Sequence, residues 1–253
     1  GDVKESVWNK EDLMQWFAGC ADVTIHEIDF ELESDPLQVY LAYVQDLCDM
    51  NMLDNEVIPS LERALKDTTF RNVRRRLTHT RYRSRFELQT DADEVMLNVF
   101  SGQLFVLIER VAAYTVDISL PPQRTPEEPN TEISIRGPRD GFTEMIGTNA
   151  ALIRRRIRSN SLRFQTFQIG KKSPTTIGLF YMDGMIEPRV LEQIRSELRA
   201  LESSDVDGIF NTNQLEELLT DKKFSLFPMF HYTGRPDFAA RSLKHGRFVL
   251  LLD

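Results

Sequence analysis

The sequence predicts an α/β protein made of two similar subdomains, each a small mixed or parallel sheet with flanking helices. Segments of strand length alternate polar and apolar residues, helical patterns stand between them, and the same order of elements occurs twice. A proline-rich stretch at 119–134 is typical of an extended linker. We therefore predict an N-terminal α/β subdomain at 1–118 and a second α/β subdomain at 135–253.

Each half opens with a predicted helix, an alternating strand and an apolar run typical of a central strand. Each half also contains a later helix, a turn with Gly102 or Gly246, and another apolar strand. The strand predicted at 112–119 would have its counterpart just beyond Asp253. The opening elements are helix 9–18 with strands 22–30 and 39–44, and helix 141–158 with strands 161–169 and 177–182.

The offset between equivalent positions of the two halves is nearly constant. It is 139 residues at the first strand, 138 at the second strand and 144 at the later glycine. A small drift of this kind predicts an internal duplication with a few insertions. The alternative is that two unrelated α/β subdomains share these general patterns.

Two helices of the second half have distinct faces. One begins at Pro188, because proline's missing N–H costs nothing in a first turn, and its apolar stripe runs from Leu191 to Leu201. In the basic helix at 141–158 we expect apolar residues to face the core and the arginines to point outward. These arginines lie near the helix C-terminus, where positive charge complements the dipole, and they are Arg154, Arg155, Arg156 and Arg158.

The charge of the chain is negative and unevenly distributed. The 253 residues contain 31 Lys and Arg against 39 Asp and Glu, a net charge of −8, which argues against a general nucleic-acid-binding protein. Residues 1–67 are strongly acidic, whereas 71–85 and 145–182 contain no acid. The basic stretches are interpreted as solvated faces, as an edge strand protected from aggregation, or as surfaces for an anionic partner or lipid.

Several chemical motifs occur only as fragments. GKKS at 170–173 resembles the end of a phosphate loop, but Gln165 stands where that loop needs its first glycine. DVDG at 205–208 resembles part of a calcium loop, but Gln214 stands in place of its bidentate acid. The two cysteines form no C-x-x-C motif, which favours a reducing compartment. We therefore expect no enzymatic activity, no cofactor and no metal site.

The stretch RGPRDGFTEMIGTNAALIRRRIR, at 136–158, closely resembles the signature region of the GerA-type spore germinant receptor A subunit family. Four further segments resemble the family in the same order, namely GKKSPTT, IGLFYMDGMIEP, DVDGIFNTNQLEELL and FSLFPMFHYTGRPDFAARSLKHGRFVLLLD. The resemblance is dense from Ile135 to Asp253 and looser over 1–120.

The resemblance implies a non-enzymatic N-terminal soluble domain of a polytopic membrane protein, which continues past Asp253 into membrane helices. It implies a place in the spore inner membrane, with this domain facing the spore interior. The implied partners are other A subunits, a transporter-like B subunit and a lipoprotein C subunit. Together these subunits would detect nutrients and trigger germination.

We hypothesise that the linker enters the second subdomain through a hinge and docking element, which acts in receptor assembly and signal coupling. Pro138 restricts φ and the neighbouring glycines permit tight turns, while the arginine-faced helix presents positive charge to a subunit or to lipid. The element consists of Arg136, Gly137, Pro138, Arg139, Gly141 and Phe142, together with Arg154, Arg155, Arg156 and Arg158.

The alternative function is a small-molecule binding module that resembles a solute-binding protein, with ligand held between two lobes. Tyr43 and Asp46 occupy positions in the first half that match Tyr181 and Asp183 in the second. All four are predicted near strand ends, where ligands of α/β proteins commonly bind, although each is equally suited to capping a turn. Nucleic-acid binding and unrecognised catalysis are the remaining alternatives.

Overall fold

A computed structural model describes residues 8–31, 36–66, 70–79, 86–121, 142–208, 212–219 and 236–252. The chain forms two compact units. Unit 1 comprises residues 1–18 and 22–123, and unit 2 comprises residues 19–21 and 124–253. The predicted subdomain boundaries remain a prediction, because most of the linker lies outside the described residues.

Unit 1 contains a five-stranded sheet in the order β1-β2-β4-β5-β3, in which all neighbours are antiparallel. Its elements are α1 (Lys10–Trp16), β1 (Val23–Glu31), β2 (Pro36–Val44), a 3₁₀ turn (Gln45–Leu47), α2 (Met50–Met52), a π-helical segment (Leu53–Val57), α3 (Ile58–Leu65), α4 (Phe70–His79), β3 (Glu87–Leu88), α5 (Ala92–Phe100), β4 (Gln103–Ile108) and β5 (Ala112–Asp117).

Unit 2 contains a three-stranded antiparallel sheet in the order β6-β7-β8. Residues 19–21 extend it at β6, since the Phe164 N–H donates to the Gly19 carbonyl at 3.0 Å and the Ala21 N–H donates to the Phe164 carbonyl at 2.7 Å. The elements are α6 (Phe142–Arg156), β6 (Leu162–Ile169), β7 (Thr175–Met182), α7 (Pro188–Glu202), α8 (Thr212–Leu219), α9 (Pro236–Lys244) and β8 (Val249–Leu252).

Local sequence explains where several helices begin. Asn9 and Asp12 form a reciprocal capping box at α1, and the Asp91 side chain accepts the first free N–H groups of α5. Pro188 occupies the first turn of α7, as predicted. Side-chain caps and proline therefore set these helix starts before any tertiary contact forms.

Each sheet packs apolar residues on both faces. In unit 1 one face meets the helices of 50–79, and on the other Phe105 lies 6.0 Å from the Trp16 ring. In unit 2 the face with Leu179 packs against α7 and α8, and the face with Phe180 packs against α6 and α9. The strict alternation along β7 therefore gives unit 2 two separate apolar clusters, one on each side of its sheet.

The α/β class is confirmed, but the expectation of parallel or mixed sheets is wrong for the strand ladders. Every ladder between strands of the described residues is antiparallel, and the isolated bridge between Cys20 and Phe164 is parallel. Short connections join β1 to β2, β4 to β5 and β6 to β7. Parallel neighbours need a crossover of a dozen or more residues, so these connections permit only hairpins.

The strand registers of the two units coincide. Val39 of β2 pairs with Ile28 and Ile108. Ile177 of β7, 138 residues later, pairs with Phe167 and Leu252, which lie 139 and 144 residues after those partners. These three offsets are the ones found between the two halves of the sequence. The shared register is what a duplication would produce, although the duplication itself stays a prediction.

Candidate functional site

The predicted hinge lies mostly outside the described residues. α6 begins at Phe142, whose backbone alone is described. The hinge therefore stays a prediction, and its residues beyond the described ranges are Arg136, Gly137, Pro138, Arg139 and Gly141.

The basic end of α6 divides into one buried arginine and three exposed ones. Arg154 is 1% exposed, and its Nη1 donates to the Leu162 carbonyl at 2.8 Å. The prediction that Arg154 points outward is therefore wrong. The cause is the helical period, because residue 154 follows Ile146 and Ala150 at intervals of four and so lies on the buried stripe.

Arg155, Arg156 and Arg158 are exposed, as predicted. None of them forms an ion pair with another described residue, so their positive charge is not neutralised within the part of the chain that the structure covers. We call these three residues the cationic surface. It can attract a carboxylate-rich protein surface or an anionic lipid.

The predicted ligand residues occupy the same place in each unit. Tyr43 is the last residue but one of β2, and Tyr181 is the last but one of β7. Both side chains are buried, whereas Asp46 is half-buried on the 3₁₀ turn and Asp183 is exposed. Burial raises the pKa of the Tyr43 hydroxyl, and the negative charge of Asp54 raises it further.

Tyr181 belongs to a polar cluster that the sequence analysis missed. Arg163 of β6 pairs directly with Tyr181 of β7, and Arg195 of α7 donates from Nη2 to the Tyr181 hydroxyl and from Nε to Gln165 Oε1 at 2.9 Å. Arg163 and Gln165 alternate along β6 with buried apolar residues. That alternation was the signal available, but the contribution of Arg195 requires the packing of α7 on the sheet.

The two fragmentary motifs, GKKS and DVDG, meet in unit 2. The Asp207 carboxylate accepts the N–H of Lys172 at 3.2 Å and that of Ser173 at 3.1 Å. Successive backbone N–H groups of this kind form a small anion-binding nest. Here the protein's own carboxylate occupies the nest, so Asp207 holds the β6–β7 hairpin in place.

The thiol of Cys48 does not suit nucleophilic chemistry. It is buried and donates to the Gly102 carbonyl at 3.1 Å. Burial raises its pKa to about 12, because the thiolate would lose its hydration. At neutral pH the group therefore stays protonated and unreactive.

Two further searches cover the described residues only. No group of three or more His, Cys, Asp or Glu side chains within them is arranged to hold a metal ion. Among the helices described there, none has the length and apolar character needed to cross a bilayer.

Comparison with known proteins identifies the family. The sequence model of the Bacillus/Clostridium GerA spore germination protein family matches residues 11–253. Spore germination protein XA of Bacillus anthracis is 34% identical over 247 residues, which are 97% of this chain and 50% of that protein. Spore germination protein KA of Bacillus subtilis is 30% identical over 237 residues, 92% of this chain and 42% of that protein. The chain thus spans about half the length of the curated relatives that it matches.

A solved structure has the same fold. The crystal structure of the N-terminal domain of the A subunit of the Bacillus megaterium spore germinant receptor GerK3 matches with a TM-score of 0.66 and 21% identity, over 100% of this chain and 93% of that chain. At that identity the likeness concerns the fold alone. Because the family match covers nearly the whole sequence, the chain belongs to the GerA family of spore germination proteins.

Proposed function

We propose that the chain is a non-enzymatic domain of a spore germinant receptor A subunit and that it acts in receptor assembly and signal coupling. Its family membership and its likeness to the N-terminal domain of the GerK3 A subunit support a place in such a receptor. In this proposal the full-length protein lies in the spore inner membrane, with this domain facing the spore interior.

The cationic surface is the observation that carries the assembly role. Three exposed arginines follow one another within five residues, with no ion-pair partner among the described residues. Exposed like charges repel one another, and a partner of opposite charge removes that repulsion on binding. The proposed partners are other A subunits, the B and C subunits of the receptor, or the anionic membrane surface. Residues 136–142 would set the angle at which this surface is presented.

The test is a charge reversal in spores that carry the full-length protein. Arg155→Glu with Arg156→Glu should lower the receptor level in the spore inner membrane, or slow nutrient-triggered germination, by at least tenfold. The matched control reverses Arg189 and Arg199, two exposed arginines of α7 outside the cationic surface. Normal receptor level and germination in the Arg155/Arg156 variant, with the purified domain folded, would refute the assembly role.

A second candidate function is the binding of a small molecule, and the polar cluster around Tyr181 favours it. A thermal-shift screen of the purified chain against amino acids, sugars and salts tests this function. A ligand at 100-fold its dissociation constant adds about 2.7 kcal/mol of stability, which such a screen detects. The absence of any saturable shift would leave nutrient sensing to another subunit.

A further inference from the structure

Four polar side chains of unit 2 converge on the backbone of Gly19. Arg163 and Gln165 come from β6, Tyr181 comes from β7, and Arg195 reaches two of them from α7. A Cβ placed on Gly19 would lie 3.6 Å from Arg163 Cδ, 3.6 Å from Gln165 Nε2 and 3.7 Å from the Tyr181 hydroxyl. Because Gly19 has no side chain and a φ of +71°, the polar groups meet there without obstruction from that residue.

The hydrogen bonds within the cluster use its acceptors and leave donors. Arg195 occupies Gln165 Oε1 and the Tyr181 oxygen. Arg163 donates from Nη1 to the Asn160 carbonyl at 2.7 Å and to Cys20 Sγ at 3.6 Å. The remaining groups are donors without an acceptor among the described residues, namely the Tyr181 O–H, the Gln165 amide N–H groups, Arg163 Nε and Nη2, and Arg195 Nη1.

The Tyr181 hydroxyl makes this surplus of donors significant. Tyr181 is 3% exposed, and a donor so deeply buried normally has an acceptor. Its oxygen already accepts from Arg195, so its own proton points elsewhere. Within the described part of the chain, no group accepts that proton.

The charge of the cluster is also uncompensated. Neither Arg163 nor Arg195 pairs with a carboxylate of the described residues, and both side chains are half-buried. The Arg195 guanidinium lies 5.1 Å from the centre of the Tyr181 ring, which offsets part of the cost of its burial. Two positive charges and several free donors therefore point to a negatively charged acceptor.

We propose that Arg163, Gln165, Tyr181 and Arg195 form a binding site for a small carboxylate anion. A carboxylate only accepts hydrogen bonds, and its two oxygens match the planar fork of a guanidinium. Neutral sugars and cations suit the site less well, because the first bring donors of their own and the second bring the wrong charge. This inference deepens the small-molecule function proposed as the second candidate and rests on it. The assembly role is independent of it.

The probe is sodium acetate, titrated into the ¹⁵N-labelled 253-residue chain while the arginine Nε–Hε signals are followed by NMR. We expect saturable shifts of the Arg163 and Arg195 signals. Sodium chloride at the same ionic strength and the uncharged analogue acetamide should produce none. Equal shifts with chloride, or no saturation with acetate, would overturn the proposal.

Variants assign the binding to these groups. Tyr181→Phe keeps the buried ring and removes the hydroxyl, and Arg195→Gln removes one charge, so each should weaken acetate binding at least tenfold. Arg199→Gln, one turn further along α7 and exposed, is the matched control and should bind as the wild type does. Wild-type affinity in a folded Tyr181→Phe protein would overturn the proposal even if Arg195→Gln disturbs the fold.

A comparison of glycine with acetate identifies the source of the carboxylate. Tighter binding of glycine would assign the site to amino acids, and tighter binding of acetate would assign it to simple carboxylic acids. Because these measurements use the isolated chain and different residues, their failure leaves the Arg155/Arg156 result unaffected. A thermal-shift hit among sugars with no acetate binding would keep the small-molecule function and reject this site.

Discussion

The ring of Phe164 on β6 lies over Gly178 in the middle of β7. A Cβ placed on Gly178 would overlap Cε2 of that ring, lie 2.9 Å from its Cζ and lie 3.1 Å from Ile146 Cδ1 of α6. Phe164 also stacks on Phe180, with ring centroids 4.4 Å apart. Glycine ordinarily weakens a strand, but here its missing side chain makes room for an aromatic ring in the core.

Gly178→Ala should therefore destabilise the chain, by about 1–3 kcal/mol of unfolding free energy, because the added methyl overpacks this layer. Urea denaturation measures the effect. Phe164→Leu removes the obstructing ring, so the double variant should lose less stability than the sum of the two single variants. Strict additivity would contradict the overlap between these residues.

Arg154→Leu should cost about 2 kcal/mol of unfolding free energy. The substitution removes the buried donor to the Leu162 carbonyl and leaves that acceptor without this bond at the start of β6. Arg155→Leu is the matched control, since Arg155 is exposed on the same turn and its loss should change stability by less than about 0.5 kcal/mol. Similar costs for the two variants would show that Arg154 is not buried in solution.

Asp207→Asn should loosen the β6–β7 hairpin. The asparagine side chain has a single oxygen and no charge, so it cannot accept from both Lys172 and Ser173 as the carboxylate does. We expect faster hydrogen exchange of those two amides and a loss of about 1 kcal/mol in unfolding free energy. Asp205→Asn, also exposed, should leave both amides protected as in the wild type. Unchanged exchange in the Asp207 variant would contradict the contact.

The stability of unit 1 should fall as the pH rises above about 9. The pKa of Cys48 rises from 9.0 to about 12 on folding, chiefly through burial, so the unfolded thiol releases its proton first. Burial, with the charges of Glu109 and Glu27, likewise raises the pKa of Tyr40 from 10.0 to about 12. A raised pKa of an acid gives stability that is complete below the unfolded pKa and is lost as the pH rises through the folded pKa.

Urea denaturation at pH 7, 9 and 10 measures this loss, with a limiting slope of about 1.4 kcal/mol per pH unit for each group. Cys48→Ala should have a shallower decline between pH 9 and 10 than the wild type. Adding Tyr40→Phe should flatten the decline further above pH 10. Coincident pH profiles of Cys48→Ala and wild type would contradict the assignment to Cys48.

Much of the fold follows from local pattern. The alternation at 22–30 and 161–169 identified β1 and β6 to within a residue at each end, and Asn9 and Pro188 marked the starts of α1 and α7. The candidate site was less accessible to such reasoning. Tyr181 was selected as the equivalent of Tyr43, but Arg163 and Arg195 were not, because a long polar side chain next to an apolar segment ordinarily lies in solvent.

The sequence by itself determined the membership of the family, the order of the elements and the offsets that relate the two units, because periodicity and motif spacing are properties of neighbouring residues. Only the tertiary structure decided the direction of strand pairing, the burial of Arg154 and the meeting of Arg163, Tyr181 and Arg195 beside Gly19. Each of these depends on which distant segments pack together. Arg154 is buried because a carbonyl of the next strand accepts its hydrogen bond, and nothing local to α6 provides that partner.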